Sequence, residues 1–378
     1  QTAGYRTGAI GKWHLGRRWE LRDADGEITE KNIDFTRPLA DGPTHHGFDY
    51  YFGRAEPAWT FMENTRVLAE PTARLDLTHL DVNLMGPNNN RGIMAPGWTH
   101  EQMLPTYTEK VVAFIDAAAK ASPRKPFFLY FTPYAPHKPV VPNKEFIGKS
   151  KAGLYGDFVC ELDHRVGQVL AALDRNGLAD NTLVIFTSDN VPENTAYPRA
   201  RKYGHYSMDG LRGLKRDNWE GGHRVPFIAR WPGKIAAGAT CDETICLVDM
   251  MATFAAVAGV DVPDGAGEDS ANILPALLGR SLDEPIREAT VHHSCKGRFA
   301  IRQGNWVYID FPTGDDNKEP EWRRQELGVE PHEEPRELFN LADDPTERYN
   351  LAAKHPEKIK SLRALLEKYK ADGRSVKR

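Results

Sequence analysis

Two unbroken apolar runs, PFFLYFTPYAP (residues 126–136) and TLVIFTSDN (182–190), constrain the fold of this chain more than any other feature. Neither alternates apolar with polar residues, so each predicts a strand covered on both faces. Helical periodicity precedes both. Thr106-Tyr107-Thr108-Glu109 forms a capping-box pattern, and Val111, Val112, Phe114, Ile115 and Ala118 then mark one helical face. A second helix is predicted from Tyr155 to Asn176 on Phe158, Val159, Leu162, Val166, Val169, Leu170 and Leu173, closed by Gly177. Helix, strand, helix, strand predicts an α/β protein with a mostly parallel central sheet flanked by helices. Ligand chemistry in such sheets gathers past the carboxyl ends of the strands. TPYAPHKP and SDN occupy those places.

The character changes after about Asp283. TVHHS, RFAIRQ and NWVYIDF read as short strands, RQGN as a hairpin turn, and Glu357 to Lys370 as an amphipathic helix with Ile359, Leu362, Leu365, Leu366 and Tyr369 on one side. The predicted division is therefore an α/β domain over 1–282 and a smaller α+β subdomain over 283–378, with an antiparallel sheet and a terminal helix. A length of 378 residues suits one large domain and one small one. Ala55 to Trp98, containing GPNNNRGIMAPGW, reads as long surface loops.

Composition excludes several classes of function. No apolar run is long enough to span a membrane. The net charge of −4, with both signs interspersed, gives nucleic acid no electrostatic footprint, and the basic tail KYKADGRSVKR reads as a solvated end. Four cysteines without CxxC spacing argue against a structural zinc; a Cys241–Cys246 bridge and two buried thiols both remain open. The chain starts at Gln1 without an apolar signal core, which leaves export unread.

The groups able to carry chemistry are few. GYRTGAIGKWHLG (Gly4 to Gly16) places Lys12 and His14 two apart between glycines. It is not a phosphate-binding P-loop, because Arg6 and Trp13 stand where glycine and Ser or Thr are required. His137 lies between prolines, Asp189-Asn190 ends an apolar run, and Lys215 sits in LRGLKRDNWEGGHRVPF. Singly, these are a turn, a loop histidine, a cap and a surface lysine. Jointly, they suit an oxyanion substrate. Lysines neutralise nonbridging oxygens, and a histidine protonates a leaving alkoxide. The Asp–Asn pair offers hard oxygen ligands, which favour calcium, or less readily magnesium, over zinc.

The order of these segments resembles the type I, formylglycine-dependent sulfatases of the alkaline phosphatase superfamily. GYRTGAIGKWHLG resembles their second signature. HHGFDYYFG, PFFLYFTPYAPHKP, LVIFTSDN, LRGLKRDNWEGGHRVPFIARWPG and RELFNLADDPTERYNLA resemble later landmarks, so the likeness runs from residue 4 to about 352. It implies hydrolysis of a sulfate ester of a carbohydrate or aryl alcohol. Lys12 would steady the formylglycine hydrate and a sulfate oxygen, and His14 would deprotonate that hydrate. His137 and Lys215 would bind the ester, with His137 as the acid. Asp189 and Asn190 would supply part of a calcium shell. In nearby loops His45, His46, Arg199, Arg201 and His205 could read a sugar, His205 and Arg201 foremost, and Trp59 or Trp98 could stack on its ring.

Two departures from the family pattern stand out. Val191 follows the S-D-N triplet where glycine is usual. The pentapeptide C-x-[PA]-x-R, or its serine form, that matures to formylglycine is absent: the cysteines continue as CELDH, CDETI, CLVDM and CKGRF. The family places that pentapeptide and an aspartate pair before the GKWHLG segment. The expectation is thus a chain lacking its nucleophile and inactive alone, with the formylglycine arising upstream of residue 1. By family habit it would be periplasmic or secreted. The alternatives are a phosphodiesterase or phosphonate monoester hydrolase of the same superfamily, and a non-catalytic sulfated-glycan-binding protein.

Overall fold

A computed structural model describes residues 1–77, 84 and 91–376. The chain forms two compact units, Gln1–Asp180 and Asn181–Arg378. The division expected at 282/283 falls inside the second of these.

The first unit is built on a five-stranded sheet of order β4-β3-β2-β1-β7. Its strands are β1 (Arg6–Gly11), β2 (Tyr50–Arg54), β3 (Phe61–Glu63), β4 (Arg66–Val67) and β7 (Phe127–Thr132); β5 (Ala73–Asp76) and β6 (Arg91–Met94) pair separately. β2, β1 and β7 run parallel, while β3 and β4 are antiparallel additions, so the sheet is mixed. Helix α1 (Met103–Lys120) buries Val111, Phe114, Ile115 and Ala118. It approaches closely because Gly8 of β1 has no side chain: a Cβ there would lie 2.7 Å from the Phe114 ring. Away from α1, Ala9, Trp13, Trp19, Ile33, Phe35, Leu39, Tyr51 and Met62 form a buried cluster.

Several local expectations change. Helix α1 starts at Met103, ahead of the Thr106 capping box, because burial of Met103 and Leu104 extends it backwards through Pro105, which a first turn tolerates. Thr108 instead donates to the Leu104 carbonyl inside the helix (2.8 Å). β7 is not covered on both faces: it is the last strand of its sheet, and Tyr130 is 44% exposed. Helix α2 (Gly153–Arg175) buries Phe158, Leu162 and Leu173, whereas Val159 points outward. The segment read as loops from Ala55 to Trp98 contains β3 to β6, and its GPNNN stretch (86–90) lies outside the described residues.

In the second unit, β8 (Val184–Thr187) pairs antiparallel with β9 (Phe227–Arg230) in a two-stranded sheet, with Phe186 38% exposed. The parallel, fully covered strand expected at TLVIFTSDN is thus corrected. The antiparallel sheet appears as expected. β10 (Thr290–His293), β11 (Phe299–Gln303), β12 (Trp306–Ile309) and β13 (Glu337–Asn340) lie in sequential order. Gln303 faces Trp306 across the two-residue RQGN hairpin, where Gly304 adopts φ 58°. Period-two alternation sends Ile301, Tyr308 and Leu338 against Leu362, Leu366 and Tyr369 of the terminal helix (Pro356–Asp372). It sends Ala300, Val307, Ile309 and Phe339 against Trp219. That second contact ties the segment carrying Lys215 to the sheet. All four cysteines are free thiols. No described helix is long and apolar enough to cross a membrane.

A histidine pair sits beside Trp219. The rings of His223 and His292 are 3.8 Å apart, and His292 Nε2 lies 3.1 Å from the Asn218 carbonyl. Glu220, Arg224 and Arg302 surround them. Burial holds His223 down to about 4 and His292 to about 3, with the neighbouring ring lowering His292 further. Both are therefore neutral in the fold. Below about 6.5 the unfolded chain takes up the protons first, so stability falls as pH drops towards 4, by roughly 1.4 kcal/mol per pH unit per group. The melting temperature of the second unit should drop more between pH 7 and pH 5 than that of a His292→Leu variant. Parallel pH profiles would refute this.

Candidate functional site

In the first unit, the carboxyl ends of β1 and β7 are locked together. Gly11 pairs with Thr132, the Lys12 amide donates to the Thr132 carbonyl (2.8 Å), and Thr132 Oγ1 donates to the Lys12 carbonyl (2.8 Å). Only glycine fits at position 11, where φ is +117° and a Cβ would lie 2.0 Å from the Thr132 oxygen. Buried Trp13 donates its indole N–H to the Gly16 carbonyl (2.9 Å), closing a turn that leaves His14 exposed. His137 follows β7 by five residues and is exposed. Its Nδ1 is 2.6 Å from the Lys138 carbonyl, which can only accept, so Nδ1 carries a proton. Lys12, His14 and His137 thus share the carboxyl end of two adjoining parallel strands.

Beneath Lys12 lies a charge set that the sequence did not reveal. Arg17 donates to the Tyr51 hydroxyl (2.6 Å) and to the Arg54 carbonyl (2.6 Å), and Tyr51 donates to the Gly11 carbonyl (3.1 Å). Arg54 pairs with Glu56 (2.6 Å). Burial pushes the Glu56 carboxyl up, but Arg54, Arg17 and Lys12 outweigh it and hold the group below the usual carboxylate range. Three cations around one carboxylate leave this corner net positive, which favours an anion. Arg17 lies beside GKWHLG and Tyr51 within HHGFDYYFG, but neither was singled out, and nothing marked Arg54 or Glu56.

In the second unit, Asp189 and Asn190 follow β8, where Ser188 Oγ donates to the Asn190 carbonyl (2.8 Å). Lys215 is brought to the same corner. Its amide donates to the Pro192 carbonyl (3.0 Å), and its own carbonyl accepts from Asn317 Nδ2 (2.6 Å). Its Nζ lies 3.4 Å from Glu193 Oε1. Val191 is buried and is not among the residues with positive φ, so valine meets no backbone strain there. Helix α3 (Ala196–Tyr203) carries Arg201, which is exposed and stacks over Trp322 at 5.6 Å from the ring centroid. His205, beyond the left-handed cap Gly204, is exposed and held down by partial burial and Arg199. Glu193 and Asn317 were missed because their roles depend on contacts made far along the chain.

Asp189 and Asn190 present the hard oxygens that suit calcium, which takes about six to eight such donors. Among the described residues no group of three His, Cys, Asp or Glu side chains is arranged to hold a metal ion. The pair therefore fits calcium only as a fraction of a shell.

The family model for sulfatases matches residues 1–260. The chain belongs to the sulfatase family. It is 33% identical to an N-acetylgalactosamine-6-O-sulfatase of Bacteroides thetaiotaomicron over 97% of this chain and 75% of that protein. It is 29% identical to the N-acetylgalactosamine-6-sulfatase of Homo sapiens over 97% of this chain and 66% of that protein. The chain thus spans about two thirds of the length of the human sulfatase. A solved Bacteroides thetaiotaomicron structure, described within the metabolism of multiple glycosaminoglycans, superposes with a TM-score of 0.78 at 30% identity, covering 98% of this chain and 80% of the other. A Pseudoalteromonas sulfatase at 22% identity shares the fold, with a TM-score of 0.68 over 98% of this chain and 71% of that one.

Proposed function

We propose that this sulfatase-family chain binds a sulfate ester of an amino sugar, with 6-sulfated N-acetylgalactosamine as first candidate. The observation that carries the proposal is 33% identity to an N-acetylgalactosamine-6-O-sulfatase along 97% of the chain. Lys12 and Lys215 would neutralise nonbridging sulfate oxygens. His137, with Nδ1–H held by the Lys138 carbonyl, would pass a proton from Nε2 to the departing sugar alkoxide oxygen, which leaves as the hydroxyl. His14 would act as the second proton carrier, and Arg201 and His205 would meet the sugar. In this family a formylglycine and a calcium ion supply the covalent nucleophile and further neutralisation of sulfate charge, and Asp189 and Asn190 would hold part of the calcium shell. Family habit favours a periplasmic or secreted setting.

Residues 1–378 contain no pentapeptide that could mature to formylglycine. The expected behaviour of this polypeptide is therefore binding without turnover. Calorimetry should show sulfate-dependent binding: N-acetylgalactosamine 6-sulfate binds and N-acetylgalactosamine does not, with no sustained release of inorganic sulfate. Calcium should bind no tighter than about 10⁻⁴ M, given so few protein ligands. Equal affinity for the two sugars would refute the substrate assignment. Sustained sulfate release, or tight stoichiometric calcium binding, would refute the account of what these residues supply.

A further inference from the structure

Lys215 does not stand alone. Glu193 Oε1 is 3.4 Å from its Nζ, and both side chains are only about a quarter exposed, at 27% and 28%. The same carboxylate grips Arg216 with both oxygens, Nη2–Oε2 at 2.5 Å and Nη1–Oε1 at 3.2 Å. Arg216 in turn has φ 92°, unusual for a residue with a side chain, and its Nε donates to Asn317 Oδ1 (3.3 Å). Asn317 also holds the Lys215 carbonyl. The carboxylate is thus fixed by two cations on a constrained turn. Burial pushes its titration up, but Arg216 and Lys215 outweigh that and keep it below the usual range, so it stays ionised near neutral pH.

Lys215 and Arg216 contribute two positive charges, and Glu193 removes one. A sulfate monoester is a monoanion. A phosphate monoester of the same shape is a dianion above its second ionisation near pH 6. We infer that Glu193 is a specificity-determining residue, which lowers the positive charge at Lys215 so that a monoanionic sulfate ester is favoured over a dianionic phosphate ester. This rests on the reading that Lys215 binds the ester's oxyanion. Because the carboxylate is partly exposed, solvent screening limits the discrimination to about tenfold.

The test measures binding of 4-nitrophenyl sulfate and 4-nitrophenyl phosphate to the full chain at pH 8. In Glu193→Gln, which keeps the shape and loses the charge, the phosphate-to-sulfate affinity ratio should rise about tenfold. Glu193→Asp should keep the wild-type ratio. An unchanged ratio in Glu193→Gln would overturn the inference. Lys215→Ala tests the underlying reading separately: if it leaves sulfate-ester affinity intact, that reading fails whatever Glu193 does. Should Glu193→Gln not fold, the wild-type chain still decides the matter. Monoanionic 4-nitrophenyl methylphosphonate should bind it at least as tightly as the dianionic phosphate, and a tenfold preference for the dianion would overturn the inference.

Discussion

Gly11→Ala should remove about 2–6 kcal/mol from the stability of the first unit. Two costs combine. A φ of +117° is strained for alanine by about 1–3 kcal/mol. The new Cβ would also lie 2.0 Å from the Thr132 oxygen and 2.5 Å from its carbonyl carbon, both backbone atoms that cannot rotate away. Relieving that overlap means parting β1 from β7, which breaks the Lys12–Thr132 bonds and adds about 1–3 kcal/mol of packing loss. Gly16→Ala is the control. Its φ is +87° with no atom within 4 Å of the built Cβ, so only the backbone term applies, about 1 kcal/mol. Urea unfolding of both variants checks the contrast. Equal losses would show that the crowding at Thr132 is not what requires glycine.

Arg212→Met should cost the second unit about 3–5 kcal/mol. Arg212 lies three residues before Lys215 and is 7% exposed, against a Glu319 side chain that is 1% exposed. It donates Nε to Glu319 (3.0 Å) and Nη1 to the Glu347 carbonyl (2.8 Å), with its guanidinium 3.6 Å from the Trp219 ring centroid. Burial already pushes the Glu319 carboxyl up against the pull of Arg212. Methionine keeps the contact with Trp219 but leaves Glu319 without its cation and the Glu347 carbonyl without its donor. The melting temperature should fall by about 10 °C, and adding Glu319→Leu should recover much of it, because an apolar pair no longer buries a charge. A single variant that melts as the wild type does would show that the pair contributes nothing.

Much of this was legible in the sequence, for reasons that differ by element. Helices α1 and α2 carry many apolar residues at helical spacing, so their existence was readable. The start of α1 was not, because burial of Met103 and Leu104 overrode the local capping signal. The hairpin at Gly304-Asn305 was readable because its turn chemistry is local. PFFLYFT and LVIFT read as strands, but an apolar run cannot say whether a strand ends its sheet or pairs antiparallel, as β7 and β8 do. Lys12, His14, His137, Asp189 and Lys215 stood out as reactive side chains next to strand ends or glycines. Arg17, Arg54, Glu56, Glu193 and Asn317 did not, since each takes its meaning from a partner that only folding brings near; Asn317, for example, reaches Lys215 across 102 positions.

The central proposal is that the charge of Lys12 and the charge of Lys215 each contribute to binding a sulfate ester. The most direct measurement is the affinity of N-acetylgalactosamine 6-sulfate for the chain, for Lys12→Ala, for Lys215→Ala and for the double variant. Each single substitution should weaken binding by roughly ten- to a hundredfold, as loss of a charge-assisted hydrogen bond does, and the double variant should bind no sulfated sugar measurably. Wild-type affinity in either single variant would contradict it.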